Sequence, residues 1–216
     1  MRACMHLSRL HDATQYRIKR LLDLYQSSSP LPQSQQSRRL AYIAIELDNM
    51  NINVLREFTV STIRRAKTIS GARISVNRNL GPDGEIGAYI LSVLNQVRFS
   101  NMKSPATIKR TDEPTVRDPN EIRKILIDCS ASNLPSLDNA LSLNSRLFRD
   151  VKTIRHFYAH RSKDTFIKVS TTSASMGLYH PKHPDQILSH VMPGRSMPVI
   201  EEWLIEAQIF YELLMQ

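Results

Sequence analysis

The ten residues Lys152-Thr153-Ile154-Arg155-His156-Phe157-Tyr158-Ala159-His160-Arg161 put two imidazoles and three fixed cations on one apolar-periodic frame. Histidine exchanges a proton near neutral pH, and the arginine fork stabilises charge building on the non-bridging oxygens of a phosphate. Arg155 and His160 therefore suit phosphoryl transfer that uses the 2′-hydroxyl of RNA as its own nucleophile, a reaction that needs no metal. His160 would assist attack by the 2′-oxygen or protonate the leaving 5′-oxygen, a contribution of roughly 10²- to 10⁴-fold in rate.

Leu147, Val151, Ile154 and Tyr158 fall on a narrow arc of a helix turning about 100° per residue, so they form its buried stripe. The opposite face is basic. It carries Arg149, Lys152, Arg155, His156 and His160, with Ala159 among them as a small residue over which a phosphate or a second helix can come close. Arg155 and His160 stand about 140° apart and flank this face. Both reach one phosphate lying across the helix, more easily if two copies of the helix face each other. Spacing alone leaves an alternative open: His160 and Arg161 simply end a helix at its negative pole, and Arg155 pairs with an acid such as Glu46 or Asp48.

The elements that must position this stretch read as helices. A chain of 216 residues, 41% hydrophobic and 23% charged with six glycines, fits one all-α domain, an antiparallel helical bundle with long connecting loops. Apolar residues at steps of three and four predict helices over about 4–26, from Arg38 to about Ser70 with Gly71 as the stop, and from Ile86 to Val97. Asp118-Pro119-Asn120-Glu121 marks another start, with Asp118 as N-cap and Glu121 reaching back, running to about Cys129. From Pro135 the periodicity continues into the 152–161 stretch. Ile200, Trp203, Leu204, Ala207, Phe210, Tyr211 and Leu214 share one face of a last helix capped by Ser196. Between these, 26–37 reads as a flexible linker, 72–84 and 98–117 as loops or insertions, the latter open to a short strand pair. Residues 162–194 read as a long loop with one turn near 186–190.

A formal charge of +9 favours polyanionic partners, nucleic acid first, against the alternative that the cations only solvate helix faces. Cys4 and Cys129 are too few and too far apart for a disulfide framework or a cysteine zinc site, which fits a reducing cytoplasm. No signal peptide or membrane span is read.

The run Ile154-Arg155-His156-Phe157-Tyr158-Ala159-His160-Arg161 resembles the signature of HEPN domains, in which Arg is followed after four to six residues by His. Four intervene here. Within that superfamily the chain is most similar to the groups associated with toxin and phage-defence loci, which also carry a long earlier helix with a segment like Glu46-Leu47-Asp48-Asn49. The resemblance spans roughly 38–162 and the last helix. It implies an antiparallel helical bundle, usually a homodimer that brings two Arg-His motifs together, and a metal-independent endoribonuclease leaving a 2′,3′-cyclic phosphate and a 5′-hydroxyl. Arg155 and His160 carry over as the active pair, and His156 as the polar, phosphate-orienting residue after the arginine. Lys152 and Arg161 support phosphate binding, with Glu46 or Asn49 orienting the motif from the neighbouring helix. HEPN toxins silenced by a nucleotidyltransferase partner carry a tyrosine two residues after the motif histidine. This sequence has Ser162 there, which speaks against that form of regulation, while an antitoxin or defence-system protein stays among the expected partners.

His156 and His160 at i and i+4 could share a metal, but Phe157 replaces the glutamate of an HExxH site and no third ligand is near in sequence. His180 and His183 read as surface residues or as a grip on RNA. Glu46 and Asp48 point in different directions and imply no paired-acid site. Trp203, Phe210 and Tyr211 read as core or dimer interface in preference to a base-stacking platform. The rival to an enzyme is a noncatalytic helical adaptor that binds nucleic acid or nucleotide and regulates a partner protein.

Overall fold

The computed structural model describes residues 5–28, 31–102, 106–181 and 183–216. Among the described residues the chain is all-α, with ten α-helices, one 3₁₀ turn and no strand. Its few β-type pairings are isolated bridges, such as His6 with Lys67 and Val191 with Pro198. Chain contacts divide it into two compact units. One comprises 1–13, 52–144 and 210–216, the other 14–51 and 145–209. Helices α1 (Leu7–Gln26), α2 (Gln33–Ile63) and α10 (Val199–Leu214) contribute residues to both.

In the first unit α3 (Asp83–Leu94) is followed by the short α4 (Gln96–Asn101), α5 (Pro119–Asp128) and α6 (Leu134–Leu141). Asp118 caps α5 as its sequence predicts, accepting from the Asn120 amide. Glu121 accepts from the amide of Arg117, one residue earlier than a capping box requires. Ile122, Ile125 and Leu126 are buried, and the Tyr89 hydroxyl of α3 donates to Asp128 at 2.6 Å. An electrostatic knot lies here too. Arg56 donates through Nε and Nη2 to the two oxygens of Glu113, at 2.6 and 2.9 Å, and Arg110 adds a third bond at 2.6 Å. Buried, triply bonded Glu113 packs directly over Gly87 of α3, where any Cβ would meet its side chain at 2.9 Å.

The second unit holds α7 (Leu147–His160), α8 (Lys163–Ala174) and α9 (Pro184–Leu188). The stripe predicted for α7 is the buried one: Leu147, Val151, Ile154 and Tyr158 are all withdrawn from solvent. Trp203 is buried in this unit, and Phe210 and Tyr211 are buried in the other. Their apolar stripe is core.

Several boundaries differ from the sequence reading, each for a local reason. The connector 26–37 gives way to α2 at Gln33, because Gln is a good helix former and the Pro32 carbonyl accepts from the Gln35 and Gln36 amides to begin the turn. That helix ends at Ile63, well before Gly71. Arg65 makes the stop in left-handed backbone, and the Ala66 amide returns to the Ser61 carbonyl. The periodicity from Pro135 to Tyr158 is two helices, parted by a bend with left-handed Asn144. The 98–117 segment contains the end of α4 and a 3₁₀ turn at Arg110–Asp112, with no strand pair among its described residues. Within the 162–194 segment α9 stands at the turn expected near 186–190, and α8 is helix where loop was expected. Ser162 and Thr165 form a reciprocal cap for α8, and Val169 and Ser173 bury its inner face. The last helix starts at Val199, not directly after Ser196. Cys4 lies outside the described residues, and Cys129 is a free, buried thiol whose Sγ–H points to the Leu126 carbonyl.

Candidate functional site

All the residues singled out around the Arg155–His160 motif lie in the second unit. Helix α7 positions them by burying its apolar stripe, which turns Lys152, His156, Ala159 and His160 outward; all four are exposed. Arg155 is partly covered, its side chain 30% exposed, because it leans toward α2. Its Nε stands 3.8 Å from Oδ2 of Asp48, a buried carboxylate. That separation is an ion pair without a hydrogen bond. The acid facing the motif arginine is therefore Asp48, the middle of the Glu46–Asn49 segment. Glu46 turns the other way to accept from Arg17 at 3.2 Å, and Asn49 donates to Glu46 at 3.5 Å. On an ideal helix Asp48 stands about 200° round from Glu46, so the two could not both face α7.

The imidazoles of His156 and His160 are stacked edge to face, 4.4 Å between centroids at 61°. One turn apart on the same face, they make a compact nitrogen-rich patch beside the exposed methyl of Ala159. The basic face is narrower than its sequence implies, because Arg149 is bound to Asp150 at 2.9 Å. Buried Asp150 also takes Arg146, four residues earlier and at the same distance. His160 is the last residue of α7. Arg161 follows in left-handed backbone, φ 44°, its amide donating to the Phe157 carbonyl at 2.7 Å. His160 and Arg161 sit where the unsatisfied carbonyls of the helix end favour positive charge, and Arg155 pairs with Asp48, so both parts of the alternative left open by spacing are present. Ser162, at the position two after the histidine, has a structural task as the cap of α8.

Sequence reasoning missed the neighbours that α9 supplies. Buried Tyr158 donates its hydroxyl to Asp185, and His183 packs edge-on against Phe157 with centroids 5.8 Å apart. Burial, then the bonded carboxylate of Asp185, pushes the Tyr158 phenol far above its ordinary pKa. The short spacing His183-Pro184-Asp185 was the available signal, since proline at the first helical position fixes a capping histidine before it.

Among the described residues no three or more His, Cys, Asp or Glu side chains are grouped to hold a metal ion, and no helix is long and apolar enough to cross a membrane. A separate cleft of about 840 Å³, lined by Arg17, Arg20, Tyr42 and Glu46 among others, opens between α1 and α2 in the same unit. Comparison with protein-family models, with curated proteins and with solved structures finds no match to the chain.

Proposed function

We propose that this protein is a metal-independent endoribonuclease of the HEPN type, acting as a toxin-like effector in stress or antiviral defence. The observation that carries this reading is the pairing across two helices. Arg155 of the Arg-x₄-His stretch is oriented by Asp48 of the long earlier helix, in the segment that the resemblance singles out. Because the contact is charge without a hydrogen bond and it is the buried Nε that faces Asp48, the two Nη groups keep their donors for a phosphate.

In the reaction Arg155 binds the non-bridging oxygens, and the exposed imidazole of His160 moves the proton. His156, stacked on His160, and Lys152 and Arg161 nearby on the same turns hold the phosphate chain. Ala159 leaves room for the RNA backbone or for α7 of a second copy, so a homodimer through this helix is part of the proposal. The net charge of +9 draws RNA to the surface.

The test is end-group chemistry in chelator. Purified protein with single-stranded and structured RNA in EDTA should release fragments with 2′,3′-cyclic phosphate and 5′-hydroxyl ends. Cleavage that stops in EDTA, or fragments carrying 5′-phosphate, would refute it.

A further inference from the structure

The cleft between α1 and α2 belongs to the unit that carries the motif but opens on another side of α2. Glu46 lines it, and Asp48, about 200° round the same helix, faces Arg155. At about 840 Å³ the cleft has room for a nucleotide, and every residue lining it belongs to the second unit.

Tyr42 forms its aromatic wall and is 53% exposed. Tyr16, 63% exposed, stands beside it on α1, with the Arg20 guanidinium carbon 5.9 Å from the centre of its ring. Open tyrosine faces of this kind serve no core and accept stacked bases. Arg17 and Arg20 line the cleft from α1. Arg39 of α2 reaches its edge by donating to the carbonyl and hydroxyl of Ser27, at 3.1 and 3.0 Å. Guanidinium groups so placed suit the phosphates of a strand crossing the cleft.

Two carboxylates stand among these cations. Glu46 binds Arg17 through one oxygen at 3.2 Å, and Asp23 is exposed at the cleft wall. Ionised carboxylates only accept hydrogen bonds, so they repel phosphate and match the amino group that cytosine, adenine and guanine carry on their pairing edges. Uracil offers there a single N–H between two carbonyl oxygens, and in a duplex these edges are already occupied. The mixture of aromatic, cationic and anionic groups therefore fits an unpaired, amino-bearing base with its flanking phosphates, and fits a bare polyanion or a duplex less well.

We infer that the α1–α2 cleft is a second RNA-binding site, which holds an unpaired cytosine, adenine or guanine of the substrate away from the scissile phosphate. Tyr42 stacks on the base, Asp23 and Glu46 accept from its amino group, and Arg17, Arg20 and Arg39 hold the neighbouring phosphates. The inference rests on the ribonuclease reading only in taking RNA as the ligand, since binding here requires no cleavage.

The test measures binding of 2′-O-methyl oligocytidine, oligouridine and a duplex, whose blocked 2′-oxygens prevent cleavage, to wild type, Tyr42→Ala and Asp23→Asn by fluorescence anisotropy. Both substitutions fall at exposed positions, and thermal unfolding checks that the fold is kept. Wild type should bind oligocytidine more tightly than oligouridine or the duplex. Tyr42→Ala should lose about 5- to 150-fold in oligocytidine affinity, and Asp23→Asn should narrow the preference for cytidine. On cleavable RNA, Tyr42→Ala should raise KM and leave kcat in place. Equal oligocytidine binding by wild type and Tyr42→Ala, or no preference for it over oligouridine and duplex, would overturn the inference, and the ribonuclease reading would stand if wild type still cuts RNA. If the binding differences appear and no RNA is cut, the ribonuclease reading falls and the cleft remains an RNA-binding site.

Discussion

Arg155 reaches toward Asp48 but stops 3.8 Å short, so the motif arginine is steered by a buried charge that does not consume its hydrogen-bond donors. Arg155→Lys keeps the charge and loses the planar fork with which the proposed ribonuclease would grip two phosphate oxygens. Expected is a fall in kcat of about 10² or more with a smaller change in KM, because a transition-state contact has been removed. Steady-state kinetics on a short RNA checks it. An equal rise in KM with kcat intact would assign Arg155 to binding alone.

Asp48→Asn should act on both stability and rate. Removing the acid from beside a partly covered guanidinium costs about 1–2 kcal/mol, between the values for exposed and fully buried pairs. The cleavage rate should fall with it, as Arg155 loses its orientation. Urea unfolding and RNA cleavage on the same preparations measure the two effects.

The Tyr158 phenol, raised by burial and by Asp185, makes stability fall in alkali. Its folded form holds the proton at pH values where the unfolded chain, with an ordinary tyrosine near pKa 10, has lost it. The contribution is therefore complete below about pH 10 and is lost as pH rises above it. Tyr158→Phe should cost about 1 kcal/mol at neutral pH for the missing bond and flatten that alkaline fall. Thermal unfolding between pH 8 and 11 separates the two.

Glu206 shows the same sign in a carboxyl group. Burial, and then Glu202 nearby, push its pKa up against a stabilising bond from the Ser145 hydroxyl. Its contribution is present below the ordinary carboxylate pKa and is lost as pH rises through the raised one. Glu206→Gln keeps an acceptor for Ser145 and drops the charge, so at pH 7–8 it should stabilise by about 0.5 kcal/mol, roughly 1–2 °C in Tm. A lower Tm for the variant at that pH would contradict this.

Gly87→Ala tests the knot in the first unit. The new methyl would meet Glu113, which three arginine bonds hold in place, so it cannot move aside cheaply. A loss of about 1–3 kcal/mol in urea unfolding is expected, and pairing it with Glu113→Ala should recover part of that loss.

Much of this architecture was legible in the residues. The stripe Leu147-Val151-Ile154-Tyr158 is buried as its period demands, and Asp118-Pro119 begins a helix where capping chemistry says it should. What escaped was helix without strong apolar period. Lys163–Ala174 is rich in Thr and Ser, whose local hydrogen bonding disfavours helix interiors, and only its Ser162–Thr165 cap and tertiary burial carry it. Which acid faces Arg155 was open for another reason. Glu46, Asp48 and Asn49 cover different faces of one helix, and the rotation of α2 is set by what the rest of it buries. The Tyr158–Asp185 bond and the packing of His183 on Phe157 were hidden because they join residues 26 or more apart at a five-residue helix.

The central claim is that Arg155 and His160 together cleave RNA without a metal. The direct measurement is cleavage of one labelled RNA in EDTA by wild type, Arg155→Ala and His160→Ala, with binding of the same RNA measured in parallel. Wild type should cut, and each variant should lose at least about 10²-fold in rate while remaining folded and RNA-binding. Intact RNA with all three proteins, at concentrations where wild type binds it, would contradict the account and leave a noncatalytic nucleic-acid-binding adaptor in its place.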